Sequence, residues 1–149
     1  MKDTNNLLEY NVWSAGEYGN TIPVILANML GVITNNYSDI GEQSLKLTKN
    51  ASSGSYSRII YNQSIINKTV TVSAHIRTVD TNAQLLLLEF DSDSRTIQTG
   101  TVNIPTNSYG TFNISLISGS NNSKFVIQFS NIGGQGSDIY VDDISLTVG

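Results

Sequence analysis

The chain has 149 residues, of which 39% are hydrophobic and 13% are charged, and its formal net charge is −4. This length is enough for one hydrophobic core and predicts a single domain over residues 1–149. The scarcity of Lys and Arg argues against nucleic-acid binding, and no apolar run is long enough for membrane insertion. The chain has no cysteine, which excludes disulfides and thiolate metal sites.

The first third of the chain gives the weakest signals of secondary structure. Residues 7–13 predict a short first strand, and residues 14–20, which contain glycine, predict a loop. The apolar run that follows is ambiguous, because Pro23 near its start and Gly31 near its end are typical of helix boundaries. We therefore predict a short helix or an irregular loop over residues 21–33.

From residue 44 onwards, short alternating segments separated by turn residues predict strands. Residues 70–77 alternate most regularly, with Val70 and Ile76 at the two ends of the inward-facing set. Residues 85–90 begin with four leucines and are apolar on both faces, which is expected of a central strand or of a strand that lines an apolar groove. The remaining predicted strands cover residues 44–48, 56–61, 96–104, 110–116, 124–130 and 138–147. About nine strands without intervening helices predict an all-β, antiparallel two-sheet sandwich of the jelly-roll kind.

The last predicted strand contains a break in its alternation. Ile139 and Val141 share one face, whereas Ile144 and Leu146 have the opposite parity. One extra residue must be absorbed at Asp142 and Asp143 if all four apolar side chains are to face the core. This pattern predicts a β-bulge that carries two adjacent carboxylates.

Several segments, in their order along the chain, resemble the galactose-binding-like jelly rolls. The segments are Leu-Leu at residues 7–8, Gly-Glu-Gln-Ser-Leu-Lys-Leu at 41–47, Tyr-Ser-Arg-Ile at 56–59, Val-Thr-Val-Ser-Ala-His-Ile-Arg at 70–77 and Ile-Tyr-Val-Asp-Asp-Ile-Ser-Leu at 139–146. Within this group the chain is most similar to carbohydrate-binding modules of families 4, 9 and 22, over nearly its whole length. The resemblance implies a non-catalytic module that binds a polysaccharide or glycan in a groove on one sheet.

The same resemblance implies a structural calcium ion between the first strand and the pair Asp142 and Asp143. Relatives usually carry an acidic residue at the position of Ser14, so one carboxylate ligand is missing here. Backbone carbonyl oxygens are suitable ligands for calcium and would have to complete the site. Alternatively, backbone N–H donors satisfy the two carboxylates without a metal.

The residues needed for catalysis are scarce. His75 is the only histidine, which argues against a nucleophilic triad and against a zinc site. Glu89 is the only acidic residue predicted on a strand face that could line a groove, and glycoside hydrolysis uses two carboxyl groups. We therefore do not expect an enzyme.

Ligand binding to a sheet face is the favoured function, because sugars are recognised by aromatic faces and planar polar groups. The outward face of residues 70–77 supplies His75 and Arg77. Neighbouring candidates are Tyr56, Arg58, Glu89, Tyr109 and Gln128. The alternative is a structural or adhesive domain of a cell-surface or phage tail protein that binds no sugar. Both hypotheses predict a module of a larger multidomain protein, located outside the cell or at its surface.

Overall fold

The structure is a computed structural model and describes residues 7–8, 25–34, 44–51 and 55–149. The described residues form ten β-strands and no helix. The strands are β1 (Ile25–Ala27), β2 (Met29–Thr34), β3 (Ser44–Lys49), β4 (Ser55–Tyr61), β5 (Thr69–Thr78), β6 (Ala83–Asp91), β7 (Thr96–Ile104), β8 (Tyr109–Ile117), β9 (Asn122–Asn131) and β10 (Asp138–Val148). No helix in this part of the chain has the length and hydropathy needed to cross a membrane.

The ten strands form two five-stranded sheets in which all described pairs are antiparallel. The front sheet has the order β1-β4-β9-β6-β7, and the back sheet has the order β2-β3-β10-β5-β8. The inward side chains of both sheets meet in one apolar core, which includes Leu85 and Phe129 from the front sheet and Leu45 and Ile76 from the back sheet. The predicted all-β jelly-roll sandwich is thus confirmed.

The helix or loop predicted over residues 21–33 is wrong for its described part. Residues 25–27 form β1 of the front sheet, and residues 29–34 form β2 of the back sheet. Asn28 separates the two strands with a φ of 53°, and asparagine tolerates this left-handed conformation better than most residues. Pairing with β4 and β3 therefore outweighs the helical pattern of this apolar run.

The predicted bulge in β10 is confirmed. Asp142 pairs with His75 and Ser145 pairs with Ser73, so three steps along β10 match two steps along β5. Asp143 takes up the extra residue with a φ of 48°. As a result, Ile139, Val141, Ile144 and Leu146 are all buried in the core despite their opposite parity.

The predicted first strand lies outside the described residues except for Leu7 and Leu8. The backbone N–H of Leu7 donates a hydrogen bond to the carbonyl oxygen of Leu146 over 2.8 Å. Leu8 is buried and belongs to the core cluster. The expected neighbourhood of the first and last predicted strands is confirmed at this point, whereas residues 9–24, with Ser14, lie outside the described residues.

Candidate functional site

The predicted site residues divide between the two opposite faces of the sandwich. Tyr56 and Arg58 lie on β4 and Gln128 lies on β9, all on the outer face of the front sheet. His75 and Arg77 on β5 and Tyr109 on β8 lie on the outer face of the back sheet. Since packed sheets are about 10 Å apart, the two groups cannot line one groove. The expectation that all of them are neighbours is therefore wrong, because strand parity gives a side chain's face but not its sheet.

Glu89 lies on neither outer face. Its side chain has the inward parity of Leu85 and Leu87 and is fully buried. The carboxylate accepts hydrogen bonds from Gln98 Nε2 over 2.8 Å, from the Gly119 N–H over 2.8 Å and from Asn122 Nδ2 over 2.7 Å. The prediction that Glu89 lines a groove is corrected by this placement, because the three donors engage its carboxylate inside the protein.

On the front sheet, Tyr56, Arg58 and Gln128 form a connected group. Arg58 Nε donates a hydrogen bond to Gln128 Oε1 over 2.8 Å, and Gln128 Nε2 donates to Ser130 Oγ over 2.9 Å. The Arg58 guanidinium carbon lies 4.6 Å from the centre of the Tyr56 ring, within the range of a cation–π contact. The position of each side chain is thus fixed by its neighbours before any ligand arrives.

This group borders a pocket of about 380 Å³ at one end of the front sheet. Its volume falls within the usual range for small-molecule sites, about 300–1,000 Å³. The lining residues are mainly uncharged and polar: Lys49, Ser55, Tyr56, Gln84, Gln128, Ser130, Asn131 and Ile132. The pocket therefore offers an aromatic ring, two glutamine amides and hydroxyl groups to a ligand.

A second hollow of about 290 Å³ lies beside the first and shares Gln84 and Ile132 with it. Gln84 Nε2 donates a hydrogen bond to Asn103 Oδ1 over 2.8 Å, and Asn103 also lines this second hollow. The registers place Tyr56 opposite Ser130, Ser130 opposite Gln84, and Gln84 opposite Asn103. A polar row thus crosses four strands of the front sheet and connects the two hollows.

Below this row the same outer face is apolar. Leu88, Phe90 and Val126 form a cluster with Leu86, separate from the main core. Lys124 lies over the Phe90 ring, with its Nζ atom 5.5 Å from the ring centre. The expectation that the leucine-rich strand is either central or groove-lining is confirmed, since β6 lies between β9 and β7 and is apolar on both faces.

The back sheet carries a second group of predicted residues. The His75 and Tyr109 rings meet edge to face with centroids 4.9 Å apart, and the Arg77 guanidinium carbon lies 5.6 Å from the Tyr109 ring centre. His75 Nδ1 is 3.4 Å from Thr111 Oγ1. Neither hollow of the front sheet includes these residues, and Tyr109 is half exposed. Their role in ligand binding stays a prediction.

Asp142 and Asp143, the predicted calcium ligands, lie at the bulge of β10. Asp142 is fully buried, and Asp143 is half-buried. Among the described residues, no group of three His, Cys, Asp or Glu side chains is close enough to hold a metal ion. The two carboxylates suit calcium as oxygen ligands, and backbone carbonyls would have to supply the remaining ligands. Calcium binding stays a prediction.

Sequence reasoning missed several residues that line the pocket. Gln84 and Ser130 share the outward parity of the predicted Gln128 and were detectable once their strands were assigned to one sheet. Asn131 and Lys49 gave no such signal. Lys49 has the inward parity of Leu45 and Leu47, which predicts a core position. It lines the pocket instead because it is the last residue of β3 and lies at the rim of the sandwich.

Comparison with family models and with curated protein sequences gave no match. Solved structures matched over most of the chain at low sequence identity. The enzymatically active domain of tailspike protein 4 of bacteriophage CBA120 has a TM-score of 0.76 at 12% identity, over 93% of this chain and 21% of that chain. The chain thus corresponds to a minor part of that larger protein.

Two carbohydrate-binding modules match from end to end. The C-terminal family 22 module of Clostridium thermocellum Xyn10B has a TM-score of 0.68 at 13% identity, over 99% of this chain and 97% of that chain. A family 61 module in complex with β-1,4-galactotriose has a TM-score of 0.66 at 15% identity, over 97% of this chain and 99% of that chain. At this identity the likeness defines the fold, and the chain therefore shares the two-sheet jelly-roll fold of these modules.

Proposed function

We propose that the protein is a non-catalytic module that binds a polysaccharide or oligosaccharide on the outer face of its front sheet. The observation that carries this proposal is the connected group of Tyr56, Arg58, Gln128 and Ser130 at the 380 Å³ pocket. A tyrosine ring stacks on the C–H groups of a sugar, and amides and hydroxyls exchange hydrogen bonds with its hydroxyl groups. The row that continues through Gln84 to Asn103 would extend such contacts to a second sugar unit.

Two observations support binding without catalysis. The solved structures that match this chain from end to end include carbohydrate-binding modules. Retaining and inverting glycosidases generally place two carboxyl groups beside the scissile bond. Within the described strands β4, β9, β6 and β7, the outward positions carry no Asp or Glu.

A second candidate function is a structural domain of a phage tail protein or another surface protein. The tailspike domain, whose TM-score of 0.76 exceeds the values of the two binding modules, favours this alternative. In such a protein the jelly roll serves as a spacer or protein contact, and the pocket has no sugar ligand. Both candidates are consistent with a module of a longer protein that works outside the cell, which we also propose.

Isothermal titration calorimetry with the purified chain would separate the two candidates. The panel should contain xylan, galactan, β-glucan, mannan and pectin fragments of three to six sugar units. We expect saturable binding of at least one fragment at micromolar to millimolar concentration and no release of reducing ends after prolonged incubation. A folded chain that binds none of these at 10-millimolar concentrations (roughly 3 kcal/mol of binding free energy) contradicts sugar binding and favours the structural role.

A further inference from the structure

The charges of the front sheet are unevenly distributed. The outward positions of its described strands include Arg58 on β4 and Lys124 on β9, with no carboxylate among them. Among the described residues, Lys49 is the only charged one that lines the 380 Å³ pocket. The whole chain has 12 acidic and 8 basic residues and is therefore acidic on average. The charged side chains at the outward positions of the described front sheet are all basic, which is contrary to this average.

Lys49 is a lysine in an unusual environment. Only 7% of its surface is exposed, and its Nζ atom donates a hydrogen bond to the Gly133 carbonyl oxygen over 2.8 Å. An ammonium group has three N–H donors, and this is its one hydrogen bond to a described residue. A buried charge of this kind is costly unless an opposite charge or further acceptors compensate it. The pocket side of the Lys49 ammonium is therefore a favourable position for an anionic ligand group.

Arg58 is held so that its terminal nitrogens remain available. Nε is engaged by Gln128, and the guanidinium packs on the Tyr56 ring, whereas neither terminal nitrogen has a hydrogen bond to a described residue. The two terminal N–H groups of a guanidinium match the two oxygens of a carboxylate in a bidentate arrangement. Arg58 lies beside the pocket that Lys49 lines, because both residues that hold its guanidinium, Tyr56 and Gln128, belong to the pocket lining.

From these observations we infer that the preferred ligand is an acidic glycan, with a uronate carboxylate bound between Arg58 and Lys49. This inference rests on the proposed function and specifies its ligand class. The uronate ring stacks on Tyr56, and the sugar hydroxyls contact Gln84, Gln128 and Ser130. Uncharged sugars of the same shape bind less tightly, since they leave the charge of Lys49 uncompensated.

The test compares uronate-containing oligosaccharides with their own carboxyl-reduced forms, which keep the backbone and lose the charge. Polygalacturonate, alginate and glucuronoxylan fragments are suitable pairs for calorimetry. We expect at least one acidic form to bind about tenfold or more tightly than its reduced partner, and we expect the difference to shrink between 50 and 500 mM NaCl, roughly as screening predicts. If the acidic and reduced forms bind with equal affinity and Tyr56→Ala weakens both, the preference for an acidic ligand is contradicted. The proposed binding of sugars would still stand.

Single substitutions test which residues cause the preference for the acidic form of the oligosaccharide. Arg58→Gln and Lys49→Gln should each reduce the preference for the acidic form to about threefold or less, whereas Arg58→Lys should keep part of it. Arg95→Gln and Lys68→Gln remove the same charges from exposed positions outside the pocket and should leave it unchanged. If Lys49→Gln fails to fold, the test depends on the variants of Arg58, which is only half-buried. A preference that survives Arg58→Gln contradicts the inference, and a chain that binds no form of any sugar contradicts the proposed function itself.

Discussion

Asn122 donates a hydrogen bond from Nδ2 to the buried carboxylate of Glu89 over 2.7 Å. The same amide group also donates to the Ile65 carbonyl oxygen over 2.6 Å, while the N–H of Gly119 donates to Glu89. The carboxylate of β6 thereby connects β9, the turn after β8 and, through Gln98, strand β7. Glu89 is thus a structural residue of the sandwich rather than a ligand-binding one.

Replacement of Glu89 by Ala should destabilise the protein strongly. The change removes the common acceptor of three hydrogen bonds, one buried and two part-buried, and each donor that it leaves unsatisfied costs about 1–3 kcal/mol. We expect a loss of roughly 3 kcal/mol or more in the free energy of unfolding, measured by urea denaturation. Glu89→Gln keeps one acceptor oxygen and the side-chain shape, so its loss should be smaller. Unchanged stability of Glu89→Ala would show that the network is dispensable.

Tyr56 and Tyr109 are matched aromatic residues on opposite sheets, and they distinguish the two faces. Tyr56→Ala should weaken sugar binding about tenfold or more, equivalent to ~1.4 kcal/mol, because the pocket loses its stacking surface and Arg58 loses its support. Tyr109→Ala should leave the affinity within about twofold. Calorimetry of both variants with one oligosaccharide gives the comparison. The reverse result would move the site to the back sheet, with His75 and Arg77.

Gly133 couples the loop after β9 to the pocket. A Cβ atom at this position would lie 2.1 Å from Thr81 Oγ1 and 2.7 Å from Thr81 Cβ, so Gly133→Ala must displace the loop. We expect a loss of about 1–3 kcal/mol in stability and weaker ligand binding, because the Gly133 carbonyl holds Lys49. Gly134→Ala is the control, since a Cβ atom at Gly134 would have no neighbour within 4 Å. Equal melting temperatures for the two variants would contradict the predicted clash.

Calcium binding by Asp142 and Asp143 has a direct thermal test. A bound ion stabilises the folded state in proportion to the logarithm of its concentration over its dissociation constant. The melting temperature should therefore rise when 5 mM CaCl₂ replaces EDTA, and Asp142→Asn should abolish the rise. The matched change Asp93→Asn, in the exposed turn between β6 and β7, should preserve it. A melting temperature that is identical in calcium and EDTA excludes a stabilising ion.

The sequence predicted the fold more completely than the site. The alternation of residues 70–77 and the parity break at Asp142 are properties of single strands, and they identified β5 and the bulge of β10. The arrangement of strands into sheets depends on long-range pairing, which the alternation does not contain. For this reason Tyr56 and His75 were expected on one surface although their strands belong to different sheets.

Two further differences between the predicted and the observed structure have a physical cause that the sequence pattern does not contain. The segment around Asn28 has an apolar pattern compatible with a helix, and only the partners β4 and β3 determine that it forms two strands. Glu89 has a charged side chain, for which an outward position is the usual expectation. Three donors inside the sandwich make its burial possible, and these donors come from residues 9 to 33 positions away in the chain.

Strand β6 poses a problem for folding because it is apolar on both faces. A shift of one residue against β9 would exchange Leu85 and Leu87 for Leu86 and Leu88, with little change in the hydrophobic area that is buried. Hydrophobicity alone therefore does not distinguish correct from slipped pairing in this strand. The position of Glu89 does distinguish them, since a slip would remove its carboxylate from Asn122 and Gly119 and turn it to the outer face of the sheet, where these donors are absent. We conclude that the buried carboxylate of Glu89 helps the chain to avoid sheets in which β6 pairs with β9 in a shifted register.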